Sequence, residues 1–209
     1  METLPLEQGK YYHIYNCGIN GCEIFRDKSD YERFLRLYET YIEPIAETYA
    51  WALMGNHFHL LVRVKEENEV KTLFELKRYR NAQLKDFTKG VEPLSGSSTT
   101  DRTYGAATPS VVENPDGGGL WNERKPNHSR QFSHLFNSFA QYFNKKYDRH
   151  GSLFERPFKR KHIDSEDYFR RVVVYIHNNP VHHGFCEHTI KYPWTSYLTC
   201  MSTEKTNIK

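Results

Sequence analysis

Residues 48–64, TYAWALMGNHFHLLVRV, hold two runs of β-forming residues on either side of Met54-Gly55-Asn56. Gly-Asn is a turn signal, so the segment reads as a tight hairpin or a bulged long strand. A strand sends side chains i and i+2 to the same face. His57 and His59 therefore project together, while Phe58 turns to the opposite face and into a core. A chain with such a segment needs a sheet with one dry face and one face that tolerates imidazoles.

The flanking sequence supplies the rest of an α+β fold. Residues 11–19 are rich in β-formers and predict a strand. Tyr31, Phe34, Leu35, Tyr38, Tyr41, Ile42 and Ile45 recur at threes and fours, which predicts a helix over 28–46 capped by Asp27 or Ser29. A basic helix is expected over 68–86. Over 129–148, Phe132, Leu135, Phe136, Phe139, Ala140 and Phe143 form an apolar helical stripe that ends before Gly151. Residues 152–163 suit a strand. A final helix opens at Asp164 or Ser165, runs through Tyr168, Phe169, Val172, Val173 and Ile176, meets Pro180 and closes at Gly184. The aromatic tail KYPWTSYLTC is expected to dock on the core, with the last eight or so residues loose. This order predicts a ferredoxin-like sandwich, a small antiparallel sheet with helices packed mainly on one face.

Residues 88–128 break the pattern. They hold six of the 12 glycines and four of the nine prolines, with SGSSTT and GGG runs. Such a composition buries too little apolar area to offset its ordering entropy. A flexible insertion within a single domain of 1–209 is expected.

Charge is a weak guide. Lys plus Arg total 29 against 26 acids, a net +3 that permits a nucleic-acid partner without arguing for one. Cys17, Cys22, Cys186 and Cys200 form no Cys-x-x-Cys pair, as suits free thiols in a reducing compartment. The start, METLPLEQGKYYH, shows no secretory pattern, and no apolar run approaches the ~18 residues of a membrane span. A soluble, cytoplasmic protein that keeps away from membranes is expected.

Two side-by-side imidazoles suit a divalent metal. For a lone His-x-His, however, two partly buried histidines on a sheet face are the more ordinary outcome. On the last helix, Tyr175 and Asn179 are four apart and share a face. Asn179 offers an oxygen ligand for a hard cation, and Tyr175 lies beside the apolar stripe, where it can reach a neighbouring sheet face. Among 15 tyrosines, a half-buried aromatic is again the ordinary reading. His177 is a weak candidate base, since two residues along a helix points it elsewhere.

Taken together, these segments resemble a known family. His57-Phe58-His59 after Met-x-Asn, followed by Leu-Leu-Val, resembles the HUH motif (histidine, hydrophobe, histidine) of single-tyrosine transposases, closest to the REP-associated tyrosine transposases and their insertion-sequence relatives. Tyr175-Ile-His-Asn-Asn-Pro-Val-His-His-Gly184 is similar to their Tyr-Ile-x-x-Asn-Pro-Val-x-x-Gly signature. Tyr142-Phe-Asn144 through Gly151-Ser-Leu-Phe-Glu-Arg-Pro-Phe-Lys159 and Tyr192-Pro-Trp-Thr-Ser-Tyr197 are also similar to theirs. The resemblance spans residues 10–198 apart from the insertion, which is longer and richer in Gly and Ser than the family pattern.

The resemblance implies a transposase that cleaves and rejoins single-stranded DNA next to hairpins, as a monomer or homodimer. It implies Mg²⁺ or Mn²⁺ held by His57, His59 and Asn179, polarising the scissile phosphate. It makes Tyr175 the nucleophile, forming a 5′-phosphotyrosine and freeing a 3′-OH. A phenol, with an ordinary pKa of about 10, leaves far more easily than an alkoxide, so the step reverses without a nucleotide cofactor. Arg156, Lys159, Arg160 and Lys161 on one strand, and Lys77, Arg78, Arg80 and Lys85 on a helix, are candidate phosphate contacts. The rival expectations are another HUH endonuclease such as a relaxase or rolling-circle initiator, a catalytically silent hairpin-binding protein, and a metal-stabilised structural domain.

Overall fold

The structure, a computed structural model, describes residues 5–88, 124–202 and 206–209, without the side chains of 82–88. From 89 to 123, the expected insertion falls outside the described residues, as does the side chain of Lys85. The chain divides into two compact units, Met1–Lys71 with Pro126–Lys209, and Thr72–Lys125. In the second, helix α2 (Leu73–Thr88) starts at a reciprocal cap. The Thr72 amide donates to the Glu75 carboxylate at 2.7 Å, and the Glu75 amide to the Thr72 hydroxyl at 3.3 Å. Lys77, Arg78 and Arg80 lie on this helix.

The first unit is built on four strands, β1 (Tyr11–Cys17), β2 (Ala46–Met54), β3 (His57–Val64) and β4 (Lys159–Ile163). All pairs are antiparallel and the order is β2-β3-β1-β4, the ferredoxin-like order expected from the sequence. The β2–β3 hairpin turns on Gly55-Asn56, as the Gly-Asn signal predicts. Both Ile24 and Phe25 amides donate to the Gly55 carbonyl, and the Gly18 amide donates to that of Asn56 at 2.9 Å. These bonds tie the hairpin tip to the end of β1. Gly18 has no room for a side chain there, since a Cβ would lie 2.0 Å from the Cys22 carbonyl oxygen.

Alternation sorts the sheet into two faces. Phe58, Leu60, Val62 and Val64 of β3 join Tyr12 and Ile14 of β1 in the main core. Helices α1 (Lys28–Tyr41) and α3 (His128–Lys146) cover it. Phe58 meets Phe34 of α1 and Phe136 of α3 at ring-centre distances of 5.2 and 5.4 Å. Full burial of one such side chain contributes about 1.5–3 kcal/mol. The opposite face carries Ala50, Ala52, Met54 and Leu61, against which helix α4 (Glu166–His182) lays Val172 and Ile176. Helices α1 and α3 thus share one face and α4 lies on the other.

Several boundaries differ from the sequence expectation for physical reasons. Helix α1 stops at Tyr41, and Pro44 just beyond it has no amide to donate to the Thr40 carbonyl. The strand expected over 152–163 begins only at Lys159, since Pro157 cannot donate to a ladder. At the other end of the chain the expectation holds: α4 runs through Pro180, and Gly184, at φ 73°, takes the left-handed turn that closes it. The tail docks as expected: Trp194 stacks on Tyr31 at 4.4 Å, and the Tyr192 hydroxyl donates to the Leu53 carbonyl. Of the tail expected to be loose, the described end is tied down: Ile208 bridges Thr48 and the Lys209 amide donates to the Thr48 carbonyl. All four cysteines are free.

One buried charge locks α1 to α3. The Asp30 carboxylate, fully buried, accepts from the Arg26 and Asp27 amides, from the Tyr147 hydroxyl at 2.7 Å and from Lys146 at 2.8 Å. Removing Asp30 leaves the Arg26 amide and the Tyr147 hydroxyl without their acceptor, while Lys146 keeps its ion pair with Asp27 at 2.6 Å. Asp30→Ala is expected to lower the unfolding free energy by about 1–3 kcal/mol, read from urea melts; no measurable loss would show that the network is not a fastening.

Candidate functional site

The face under α4 is not uniformly apolar. Where β3 and β1 run beyond the Leu61 patch, the same face carries His57, His59, His13, Tyr15 and Cys17. The register sets Tyr15 opposite His59 and Cys17 opposite His57. Lys159 and Lys161 of β4 follow on that face, opposite Tyr15 and His13. Helix α4 reaches over this polar end. Its Val172 and Ile176 anchor on Ala50 and Ala52, whose small side chains let the helix approach, and this aims Tyr175 along the sheet toward the histidines. The Tyr175 ring lies 5.5 Å from that of His59 and 5.9 Å from that of His13, edge to face in both cases. Tyr175 stays 46% exposed. A cleft of about 290 Å³ is lined by Tyr15, Cys17, Asn56, His57, His59, Lys159, Tyr175 and His183, with Asn16.

The imidazoles are oriented by hydrogen bonds. His57 Nδ1 lies 2.6 Å from Asn56 Oδ1, which only accepts, so the proton sits on Nδ1 and Nε2 keeps its lone pair. That Nε2 is buried and has no hydrogen-bond partner among the described residues. His59 Nδ1 meets His13 Nε2 at 2.9 Å, which leaves His59 Nε2 outside this bond. A metal-binding histidine shows this pattern, with one nitrogen held by a neighbour and the other offered. A buried acceptor with nothing to accept from is costly in an ordinary core, so these donors fit a divalent cation. Among the described residues, no group of three or more His, Cys, Asp or Glu side chains is already arranged to hold one.

Burial also sets the protonation state. It lowers His57 to about 4, with His183 nearby adding to the effect, and His13 to about 4, with Lys161 adding. His59, lowered first by burial and then by His13, His57 and His183, falls to about 2. All three are neutral near pH 7, the form that ligates metal.

The remaining sequence candidates separate. Asn179 is buried at 1% exposure, its amide donates to the Tyr175 carbonyl at 2.8 Å, and it does not line the cleft. It braces the helix turn that bears Tyr175. His177 is buried against the Ser196 hydroxyl at 2.8 Å, away from the cleft. The basic run divides by strand alternation. Lys159 lines the cleft and pairs with Glu155 at 3.2 Å, and Lys161 stands over the Tyr168 ring. Arg160 points to the opposite face, where it bonds Ser129 and stacks on Phe158, lining a different groove together with Arg156. His13 and His183 escaped the sequence reading. His13 carries the visible signal, the alternation of YYHIYNC that puts it on one face with Tyr11 and Tyr15, but only strand pairing brings that face to His59.

No family model matches the chain, and no curated protein matches it. A solved structure described as "the REP associates tyrosine transposase bound to a REP hairpin" aligns with 95% of this chain and 82% of its own, at TM-score 0.52 and 12% sequence identity. At that identity the likeness establishes the shared α+β fold. Among the described residues, no helix is long and apolar enough to cross a membrane.

The lowered histidines make stability depend on pH. An unfolded histidine takes up its proton near pH 6.5, whereas the folded His13 and His57 resist protonation down to about 4. Below 6.5 the unfolded state therefore binds more protons, and stability falls with pH. His128 and His177, lowered by burial too, act in the same direction. The metal-free protein should lose urea resistance steadily from pH 6.5 to 5, with a shallower slope in His13→Gln. A flat profile would mean these imidazoles are not held neutral.

Proposed function

We propose that this chain is a DNA transposase of the single-tyrosine HUH type, a single-strand endonuclease and strand transferase acting at hairpin ends. The observation that carries the reading is Tyr175: a half-exposed phenol on a helix, its ring 5.5 Å from that of His59, lining one cleft with His59 and with His57, whose buried Nε2 has no hydrogen-bond partner among the described residues. The fold shared with a hairpin-bound tyrosine transposase supports it, as do the four sequence motifs in family order. A silent hairpin-binding protein would have no need to keep a solvent-facing tyrosine beside an orphaned imidazole nitrogen.

In this reading, Tyr175 Oη attacks the scissile phosphorus in line. The bond to the 3′ oxygen breaks, a 5′-phosphotyrosine forms, and the tyrosine proton ends on the released 3′-OH. Attack by a 3′-OH reverses the sequence and frees Tyr175. A divalent ion, Mg²⁺ or Mn²⁺, held by His57 and His59 would offset charge on the non-bridging oxygens. Lys159 and Lys161, on the same sheet face, supply fixed positive charge for the strand's phosphates. His13 holds the His59 ring through Nδ1 and so keeps its other nitrogen turned outward. The partner is single-stranded DNA carrying a hairpin, and a soluble chain free of membranes suits it.

The deciding experiment incubates the protein with single-stranded hairpin DNA and Mn²⁺ and looks for a covalent adduct on a denaturing gel. Adduct formation that disappears in Tyr175→Phe is expected. An adduct that survives in Tyr175→Phe would remove Tyr175 from the role, and tight hairpin binding without any adduct would favour the silent binder. His13→Ala should weaken Mn²⁺ binding by about 10–100-fold, the scale for loss of a group that orients a ligand, with hairpin affinity in the absence of metal unchanged.

A further inference from the structure

We propose that the groove between α3 and residues 151–158 reads the unpaired nucleotides beside the cut, stacking a base on the Arg160–Phe158 pair and meeting its edge with Asn137 and Ser133. The proposal rests on the single-strand reading of Tyr175 and adds to it a means of choosing sequence.

Position is the first support. The groove, of about 870 Å³, falls in the range of small-ligand sites. Strand alternation puts Lys159 on the cleft side of β4 and Arg160 on the groove side, and the two hollows share a wall. Asn16 lines both. It is buried, and its side-chain amide donates to the Glu155 carbonyl at 3.1 Å, which fixes the wall. Glu155 lines the groove and pairs with Lys159, which lines the cleft. Because β4 is the edge strand of the sheet, a polymer can pass around it from one side to the other. A strand seated on Lys159 therefore has a path past Asn16 into the groove.

The lining is the second. Phe154 and Phe158 pack with ring centres 5.5 and 5.2 Å from that of Phe136 and form a rigid floor. The Arg160 guanidinium lies over the Phe158 ring, 4.0 Å from its centre, and donates to the Ser129 hydroxyl at 2.7 Å. Its plane is thus set before a ligand arrives, and a guanidinium held flat both stacks on a base and forms hydrogen bonds at its rim. Ser129, Ser133 and Asn137 are four apart on α3 and present one face to the groove. Ser133 donates to the Ser129 carbonyl and keeps its lone pairs for accepting. Asn137 is exposed and has no side-chain hydrogen bond among the described residues, so its amide keeps donors and an acceptor for a base edge. Arg156, exposed at the rim, suits the phosphate between two such bases. A duplex keeps its bases stacked inside and turns its phosphates outward. A concave lining of aromatic, guanidinium and amide groups fits bases that are unpaired.

Anisotropy titrations of the full chain without metal test the proposal, with hairpin DNA that carries a short unpaired tail of varied sequence on either side. The native chain should prefer some tails over others by at least about fivefold, the lower end for one good base contact. Arg160→Lys keeps the charge and loses the planar fork, and Asn137→Ala removes an exposed amide outside the core. Each should flatten the tail preference, with affinity for the tailless hairpin and the dependence on salt as in the native chain. Thermal melts check the folding of both variants, and Asn137→Ala carries the test if Arg160→Lys does not fold. Affinity that falls evenly across all tails marks a phosphate contact and would overturn the proposal. So would a native chain without tail preference, or a preference unchanged in both variants; a Tyr175 adduct on the same hairpin would then leave the proposed chemistry standing. A native chain that binds no hairpin DNA would overturn both.

Discussion

The antiparallel pairing of β1 with β3 is the constraint on which the site depends. It sets Tyr15 opposite His59 and Cys17 opposite His57, and it leaves His13 one step along, within hydrogen-bond reach of His59. Because side chains alternate, the same register sends Tyr12, Ile14, Phe58 and Leu60 to the core under α1 and α3. A slip by one residue would bury the histidines among phenylalanines and expose Phe58. The aromatic core therefore does more than stabilise the domain. It makes the one register that gathers the imidazoles the register of lowest free energy.

Burial and chemistry are linked at these histidines. Taking His57 and His59 out of water costs their charged forms and fixes them as neutral imidazoles near pH 7. Neutrality alone would leave either ring nitrogen protonated. For His57 a neighbour decides which: Asn56, at the second position of the hairpin turn, accepts from Nδ1–H, while at His59 the His13 ring is hydrogen-bonded to Nδ1. The tight turn thus has two uses, since the residue that reverses the chain also orients the first imidazole. The Gly18 amide bonded to the Asn56 carbonyl holds that turn against the end of β1.

Much of this was legible in the sequence wherever it depended on local periodicity. The hairpin, the phenylalanine stripe of α3 and the shared face of His57 and His59 follow from periods of 2 and 3.6. What periodicity lacks is depth and long-range register. Tyr175 and Asn179 do share a helix side, yet the first is half-exposed over the cleft and the second is buried and bonded to its own helix. His183 sits just before Gly184, where the sequence expects the helix to close, and only the packing of α4 on the sheet brings its ring to 4.6 Å from that of His57. The basic run 156–161 looked like one patch, although alternation alone separates Lys159 and Lys161 from Arg160.

The two helical layers differ in a way that suits an extended ligand. Under α1 and α3 the sheet face is covered along its length by large aromatics and is closed. Under α4 it is covered where Ala50, Ala52, Met54 and Leu61 provide a shallow seat and where Phe169 meets Tyr11 and Tyr49, and toward the hairpin end the surface drops to a polar cleft that Lys159 lines. A helix on small side chains can approach closely without filling the neighbouring space, so Tyr175 overhangs the cleft instead of plugging it. Its backbone is anchored by Val172 and Ile176, and its ring stays 46% exposed. The overhanging phenol and the neutral imidazoles below it follow from residue size on β2 and residue alternation on β3.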